Sequence, residues 1–346
     1  MKLLSDDSPR GWLARLLVGL TALSLVAAPF LFPGAKALGV AEKIAVMAAL
    51  AASYDVLLGY AGIVSFAHVM FFGCGAYGVG LALYALGPGW GAIGLGMLSG
   101  MALAGLIALA LGAFSLRVQA IFFAMVTLAV AYAFNVLAAQ WTDFTGGEDG
   151  RTFRVPELLR PGTHLPFGLT GRTLVYYLVL VGAAATFLVL LRIVNSPFGR
   201  VLQAIRENPL RAEALGYRIA IHRTLAVLVS ALAAAFVGGL DALWLRYVGP
   251  DTALSFAIQV DVLVIVVLGG RGTLYGAVVG AAAFVMAENY LRALIAGAAS
   301  ATAGWPLLPN LLHPDRWLLW LGLLFILAVR FAPRGIIGES ANRAKN

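Results

Sequence analysis

The sequence predicts an all-α, polytopic integral membrane protein of about ten transmembrane helices, some of them broken or re-entrant. Three observations predict it. Hydrophobic residues make up 61% of the chain and charged residues only 12%, against roughly 45–50% and about 25% in soluble domains. The apolar residues run in long blocks rather than alternating with polar ones at helical period, as suits helices surrounded by lipid and by each other. Glycine is abundant, at 40 of 346 residues, which fits helices that must approach closely in a bilayer.

A bilayer core takes about 20 apolar residues of helix. That ruler places spans near 12–32, 39–58, 63–86, 90–114, 120–140, 173–192, 223–246, 257–268, 273–296 and 316–332. The third block is interrupted by glycines and the eighth is short, so these two are the candidates for discontinuous helices. The first block is expected to be retained as a span rather than cleaved as a leader: Asp6 and Asp7 spoil a basic leader, and the apolar stretch is long for one. Two connections are long. Residues 141–172 are polar and turn-rich, with Thr145-Gly146-Gly147-Glu148-Asp149-Gly150 followed by Pro156, Pro161 and Pro166. Residues 193–222 carry Arg200, Arg206, Arg211 and Arg218 in one stretch. Basic residues collect on the side of that second connection and of both termini, so 193–222 and both termini are expected in the cytoplasm and 141–172 outside. Membrane orientation also accounts for the net charge of +8 better than nucleic-acid binding does, because no dense Lys/Arg run is present. The whole chain, 1–346, is expected to form a single membrane domain.

Metal and disulfide chemistry find no support. Cys74 is the single cysteine, and the histidines at 68, 164, 222 and 313 are scattered, with no pair at metal-ligand spacing. Cys74 reads as a small apolar helix residue. No cofactor is expected.

Ionisable residues inside apolar blocks are costly and mark candidate sites. Asp55, Asp241, Asp261 and Glu288 are such acids; each can line a translocation path or pair with a nearby arginine. Ser65 and His68 lie three apart and share a face if helix forms there; they either border the same path or bond to neighbouring helices. Gly59, Gly62, Gly73, Gly75 and Gly78 around them permit a break in the helix and close backbone approach. Gly96-x-x-x-Gly100 and Gly276-x-x-x-Gly280 read as packing contacts.

The connection 193–222 has its own logic. Asn208 is a good N-cap and Pro209 fits the first helical position. Gly216 fits the left-handed position after a helix end. The spacing predicts a short helix over Pro209–Leu215 preceded by a second near Gly199–Glu207, with Leu210, Ala214 and Leu215 forming a small apolar face. Such a pair can transmit force from a docked partner, or it can be a basic loop at the lipid surface. Gly269-Gly270-Arg271-Gly272-Thr273 is not a phosphate loop, because no lysine in the chain follows a glycine. The chain is therefore not itself expected to hydrolyse ATP, and it is not expected to be an enzyme.

Several of these segments together resemble a known family. Glu213-Ala214-Leu215-Gly216 is similar to the coupling-loop pattern of ABC importer permeases, with the glycine closer than usual. Gly199-Arg200-x-Leu-x-Ala-Ile-Arg206-Glu207-Asn208, Leu58-Gly59-Tyr60-Ala61-Gly62-x-x-Ser65-x-x-His68-x-x-Phe71-Phe72-Gly73-x-Gly75-Ala76-Tyr77, Thr145-Gly146-Gly147-x-x-Gly150 and Leu268-Gly269-Gly270-x-Gly272-Thr273-x-x-Gly276 resemble the branched-chain amino acid permeases, the LivM-type subunit, in family order over roughly residues 40–295. Phe66-Ala67 and Arg271 depart from the family pattern. The resemblance implies a permease of the bacterial inner membrane working by alternating access. It implies two ATP-binding cassette subunits contacting Arg206, Glu207, Glu213 and Gly216, a second related permease subunit, and a periplasmic binding protein docking outside. Branched-chain amino acids are the implied cargo, with urea or short amides as the alternative. An ion-coupled secondary transporter is the competing class; it would use the same acids as an ion relay and would not require the inner helix pair. An intramembrane enzyme is the weakest alternative, since neither a metal motif nor a convincing nucleophile is present.

Overall fold

A computed structural model describes residues 12–31, 34–115, 120–163, 170–301, 316–331 and 335–336. In chain order the helices are α1 (Trp12–Leu31), α2 (Ala35–Asp55, continued by a π-helical turn Val56–Ala61), α3 (His68–Leu86), α4 (Trp90–Ser115), α5 (Ala120–Gln140), the short α6 (Thr142–Thr145), α7 (Gly171–Val194), α8 (Pro197–Glu207), α9 (Pro209–Ala214), α10 (Ile219–Leu245), the short α11 (Pro250–Ala253), α12 (Phe256–Gly269), α13 (Leu274–Ala301) and α14 (Trp317–Phe331). Two-residue strands β1 (Arg151–Thr152) and β2 (Tyr247–Val248) pair antiparallel. Among the described residues, nine helical segments are long and apolar enough to cross a membrane. The tenth expected span is α14, whose 15 described residues are shorter than a full crossing.

Helix is the structure these sequences must adopt in lipid, because it satisfies every backbone group internally. Where that fails, a side chain repairs it. Pro29 inside α1 has no N–H for the carbonyl of Leu25. The fully buried Tyr176 of α7 donates its hydroxyl to Leu25 O at 2.6 Å, and Tyr177 donates to Val26 O at 3.0 Å.

The core forms around α2, which is buried continuously from Ile44 to Asp55. It packs against α7, α10, α12 and α13, while α3, α4 and α10 form an adjoining group. Glycines set the α3–α4 distance: a Cβ on Gly78 would stand 2.8 Å from Gly100 Cα, so Gly96-x-x-x-Gly100 is a packing seam.

The two long connections lie on opposite faces. Phe153 N–H donates to Arg246 O at 3.2 Å beside the β1–β2 pair, which ties the 141–163 region to the end of α10. That region is a compact cap rather than a loose loop: Phe153, Val155 and Leu159 are buried. Thr145 Oγ1 lies 2.6 Å from the carbonyls of both Ala138 and Trp141, and Gly146, Gly147 and Gly150 all have positive φ, which gives the Thr-Gly-Gly-x-x-Gly spacing its physical reason. At the other face, α8 meets the far end of α2, and α9 packs on α8 and the start of α10.

Two expected spans are broken. The block 63–86 does not start as helix: residues 62–67 are non-helical, and α3 begins only at His68. Burial alternates along this stretch, with Ile63, Ser65 and Ala67 inside and Gly62 and Val64 exposed. The short eighth block is the longer part of a 20-residue span, Pro250–Gly269, interrupted between α11 and α12.

Candidate functional site

The predicted site residues fall into three places. The first is the junction between the α8–α9 pair and the end of α2. Pro197 and Pro209 occupy the first turns of α8 and α9, where a missing N–H costs nothing. Leu202 and Ile205 of α8 and Ala212 of α9 are buried and anchor the pair. The Asn208 side chain caps α9 by accepting from Arg211 N–H at 3.0 Å. Gly216 closes it at φ 89°, with Gly216 N–H donating to Glu213 O at 2.8 Å and Tyr217 N–H to Ala212 O at 3.1 Å. Glu207 and Glu213 are exposed. Leu210 and Leu215 are exposed at 78% and 70%, so the expected apolar face points away from the protein.

Arg206 reaches from α8 to the π turn of α2 and donates from Nη1 to Gly59 O. A π turn near a helix end leaves carbonyls without regular partners, and it recurs at functional sites. Gly59 also sits against the turn before α13: a Cβ there would come within 2.7 Å of Gly272 Cα. The fully buried carboxylate of Asp55 accepts from Gly272 N–H, with Oδ1 at 2.9 Å and Oδ2 at 3.1 Å. Asp55 is thus placed just ahead of the N-terminus of α13, where a negative charge is favoured.

The second place is the break itself. Thr127 Oγ1 of α5 accepts from Phe66 N–H at 3.0 Å, and Gln259 of α12 accepts from Val69 N–H at 3.1 Å while its amide reaches Ser65 O at 3.5 Å. Asn135 of α5 donates to Leu254 O at 3.2 Å, at the other broken span. These three side chains supply the hydrogen bonds that the missing helix would have made. None was singled out from the sequence, although each is a polar residue within an apolar block. Ser65 and His68 do not share a helical face, because helix starts only at His68; Ser65 Oγ turns back to accept from Ala67 N–H at 3.3 Å. His68 is fully buried, with Nε2 at 2.8 Å from Ser53 Oγ on α2 and Nδ1 at 3.5 Å from Ser230 Oγ on α10. The Ser53 hydroxyl proton goes to Leu50 O at 2.7 Å, so His68 Nε2–H donates to Ser53. Ser230 in turn donates to Ser53 O at 2.6 Å. The histidine therefore fastens α3 to α2, and Ser230 ties α10 to the same turn of α2.

The third place is an ionic cluster where α2, α10, α12 and α13 meet. Lys43 Nζ lies 2.9 and 2.8 Å from the two carboxylate oxygens of Glu288. Asp261 is within electrostatic reach of both. The carboxyls of Glu42 and Asp241 adjoin each other beside Lys43. The structure thus brings Asp241, Asp261 and Glu288 together and leaves Asp55 apart, twelve residues or about 18 Å of helix from Lys43. Sequence reasoning missed Glu42 and Lys43, since they stand at the edge of their apolar block and read as flanking charges.

A family model described as branched-chain amino acid transport system, permease component, matches residues 37–329. The high-affinity branched-chain amino acid transport system permease protein LivM of Escherichia coli K12 is 28% identical over 261 residues, covering 69% of this chain and 59% of that relative. The Salmonella typhimurium protein of the same name matches to the same extent. A probable branched-chain amino acid transport permease protein LivM of Methanocaldococcus jannaschii is 28% identical over 165 residues, 47% of this chain and 46% of the relative. The matches span less than two thirds of the length of these relatives. No solved structure matches the chain.

Proposed function

This chain belongs to the permease family of branched-chain amino acid transport systems, and from that premise we propose that it is the membrane-spanning subunit of an ABC importer. In this reading it moves a small polar solute inward, branched-chain amino acids first, by alternating access in a bacterial inner membrane. Both termini and α8–α9 face the cytoplasm, where two ATP-binding cassette subunits dock. A second, related permease completes the pore, and a periplasmic binding protein delivers solute to the face formed by 141–163. A docked partner shifts the balance of states only if it contacts the two states differently.

The observation that carries the proposal is the α8–α9 pair: capped at both ends of α9, presenting Leu210 and Leu215 outward, and strapped through Arg206 to the carbonyl of Gly59 at the break in α2. An exposed apolar knob beyond the membrane suits insertion into a partner's groove. Movement of that knob bears first on Gly59, then on the non-helical 62–67 segment, whose partners Thr127 and Gln259 sit on α5 and α12.

The test is reconstitution of the chain in liposomes with the candidate ATPases, second permease and binding protein. The expected outcome is ATP hydrolysis stimulated by loaded binding protein, coupled to leucine uptake. Uptake driven by an ion gradient without ATPase subunits counts against the proposal and favours the ion-coupled reading, for which the Lys43 cluster is the supporting observation. Uptake of urea or a short amide in place of leucine keeps the importer and changes the cargo.

A further inference from the structure

The ionic cluster has a composition that a simple helix clamp does not need. A buried pair replaced by apolar residues of similar volume is often as stable or more so, yet here a lysine and four carboxyl groups lie inside the spans. Lys43 and Glu288 are also reachable: their side chains retain 36% and 26% of their exposure. Asp261, on the half-span that begins at the second break, offers another carboxylate within reach of both. Behind Lys43 lie the adjoining carboxyls of Glu42, 3% exposed, and Asp241.

Resting on the importer reading, we propose that the Lys43–Glu288 pair is the docking point for the zwitterionic head of the solute. Lys43 takes the solute carboxylate, and Glu288 with Asp261 takes its ammonium. The pair opens as the head enters and closes behind it. A zwitterion carries into the membrane two charges that must not be left unpaired. An opposed pair of the same two charges exchanges partners with it, so that each charge is matched before, during and after passage.

The test uses the complete reconstituted transporter with leucine as probe, and the variants Lys43→Met, Glu288→Gln and the apolar pair Lys43→Met/Glu288→Leu. The expected result is that all three keep ATP hydrolysis stimulated by loaded binding protein, while leucine uptake falls roughly tenfold to a hundredfold, the scale of losing one charge-assisted hydrogen bond. Wild-type uptake restored in the apolar pair overturns the inference, because the residues then act as a clamp. Stimulated hydrolysis that falls in step with uptake in any variant also overturns it. Unmodified transporter that carries urea but not leucine overturns the inference and leaves the importer reading standing. Absence of stimulated hydrolysis in the unmodified transporter instead sinks the importer reading itself.

Discussion

At the scale of single residues, Arg206 and His68 show two different uses of a polar side chain. Arg206 is an exposed residue whose aliphatic stem lies over Gly62 and whose guanidinium engages Gly59 O. Arg206→Met should leave α8 in place, because Leu202 and Ile205 hold it. It should weaken the link to α2 by about 1.5–3 kcal/mol, the usual worth of a hydrogen bond from a charged donor. Insertion and ATPase copurification are then preserved while uptake falls. Arg206→Lys, a point charge without the planar fork, should restore uptake only in part; full uptake by Arg206→Met would remove the link from the mechanism. His68 is the opposite case, wholly inside and satisfied by Ser53. His68→Ala leaves a void and releases a buried donor pairing, at a cost of about 1–3 kcal/mol. Thermal unfolding in detergent should register it as a lowered midpoint, with Ser53→Ala smaller, because Ser53 also bonds locally to Leu50. The sequence made the acids at 55, 241, 261 and 288 visible as costly charges, but spacing along the chain could not show that three of them share Lys43 while Asp55 clamps a turn 217 residues away. Such pairing is set by which helices touch, and an apolar block carries little information about its neighbour.

At the scale of elements, the caps were legible because they are local chemistry. Asn208, Pro209 and Gly216 delimit α9 within one residue of expectation. Gly216 has open space around the position of a Cβ and φ of 89°, so its requirement is backbone conformation alone. Gly216→Val and Gly216→Ala should therefore lower coupled uptake through a strain of order 1 kcal/mol or more, while Gly216→Asn, which tolerates the left-handed region, should retain most of it. Equal loss for Val and Asn would mean that the glycine matters for space at a partner's surface instead. The break at 62–67 was legible only as a suspicion raised by glycines. What fixes it lies elsewhere in the chain, on Thr127 and Gln259. Thr127→Val with Gln259→Leu removes both supports. Cysteine accessibility at Val64, already 37% exposed, should then rise as the segment loosens; unchanged accessibility would show that packing alone holds it.

At the scale of the whole molecule, block length and composition were enough for the architecture, since lipid leaves helix as the one way to satisfy an isolated backbone. Sidedness is a separate matter, resting on the bias of basic residues. On a Cys74→Ala background, a membrane-impermeant thiol reagent applied outside should label Glu148→Cys and miss Leu210→Cys; both positions are exposed, so burial does not confuse the result. Strong outside labelling at 210 would invert the topology and end the coupling proposal with it. The β1–β2 ribbon carries one more consequence. Two strands of two residues each have no stability of their own, and their partners are nearly a hundred residues apart in sequence. Amide hydrogen exchange at 151–153 therefore belongs to the same foldon as exchange at 246–248. The two stretches should open with one free energy, and whatever grips the cap should slow both clocks together.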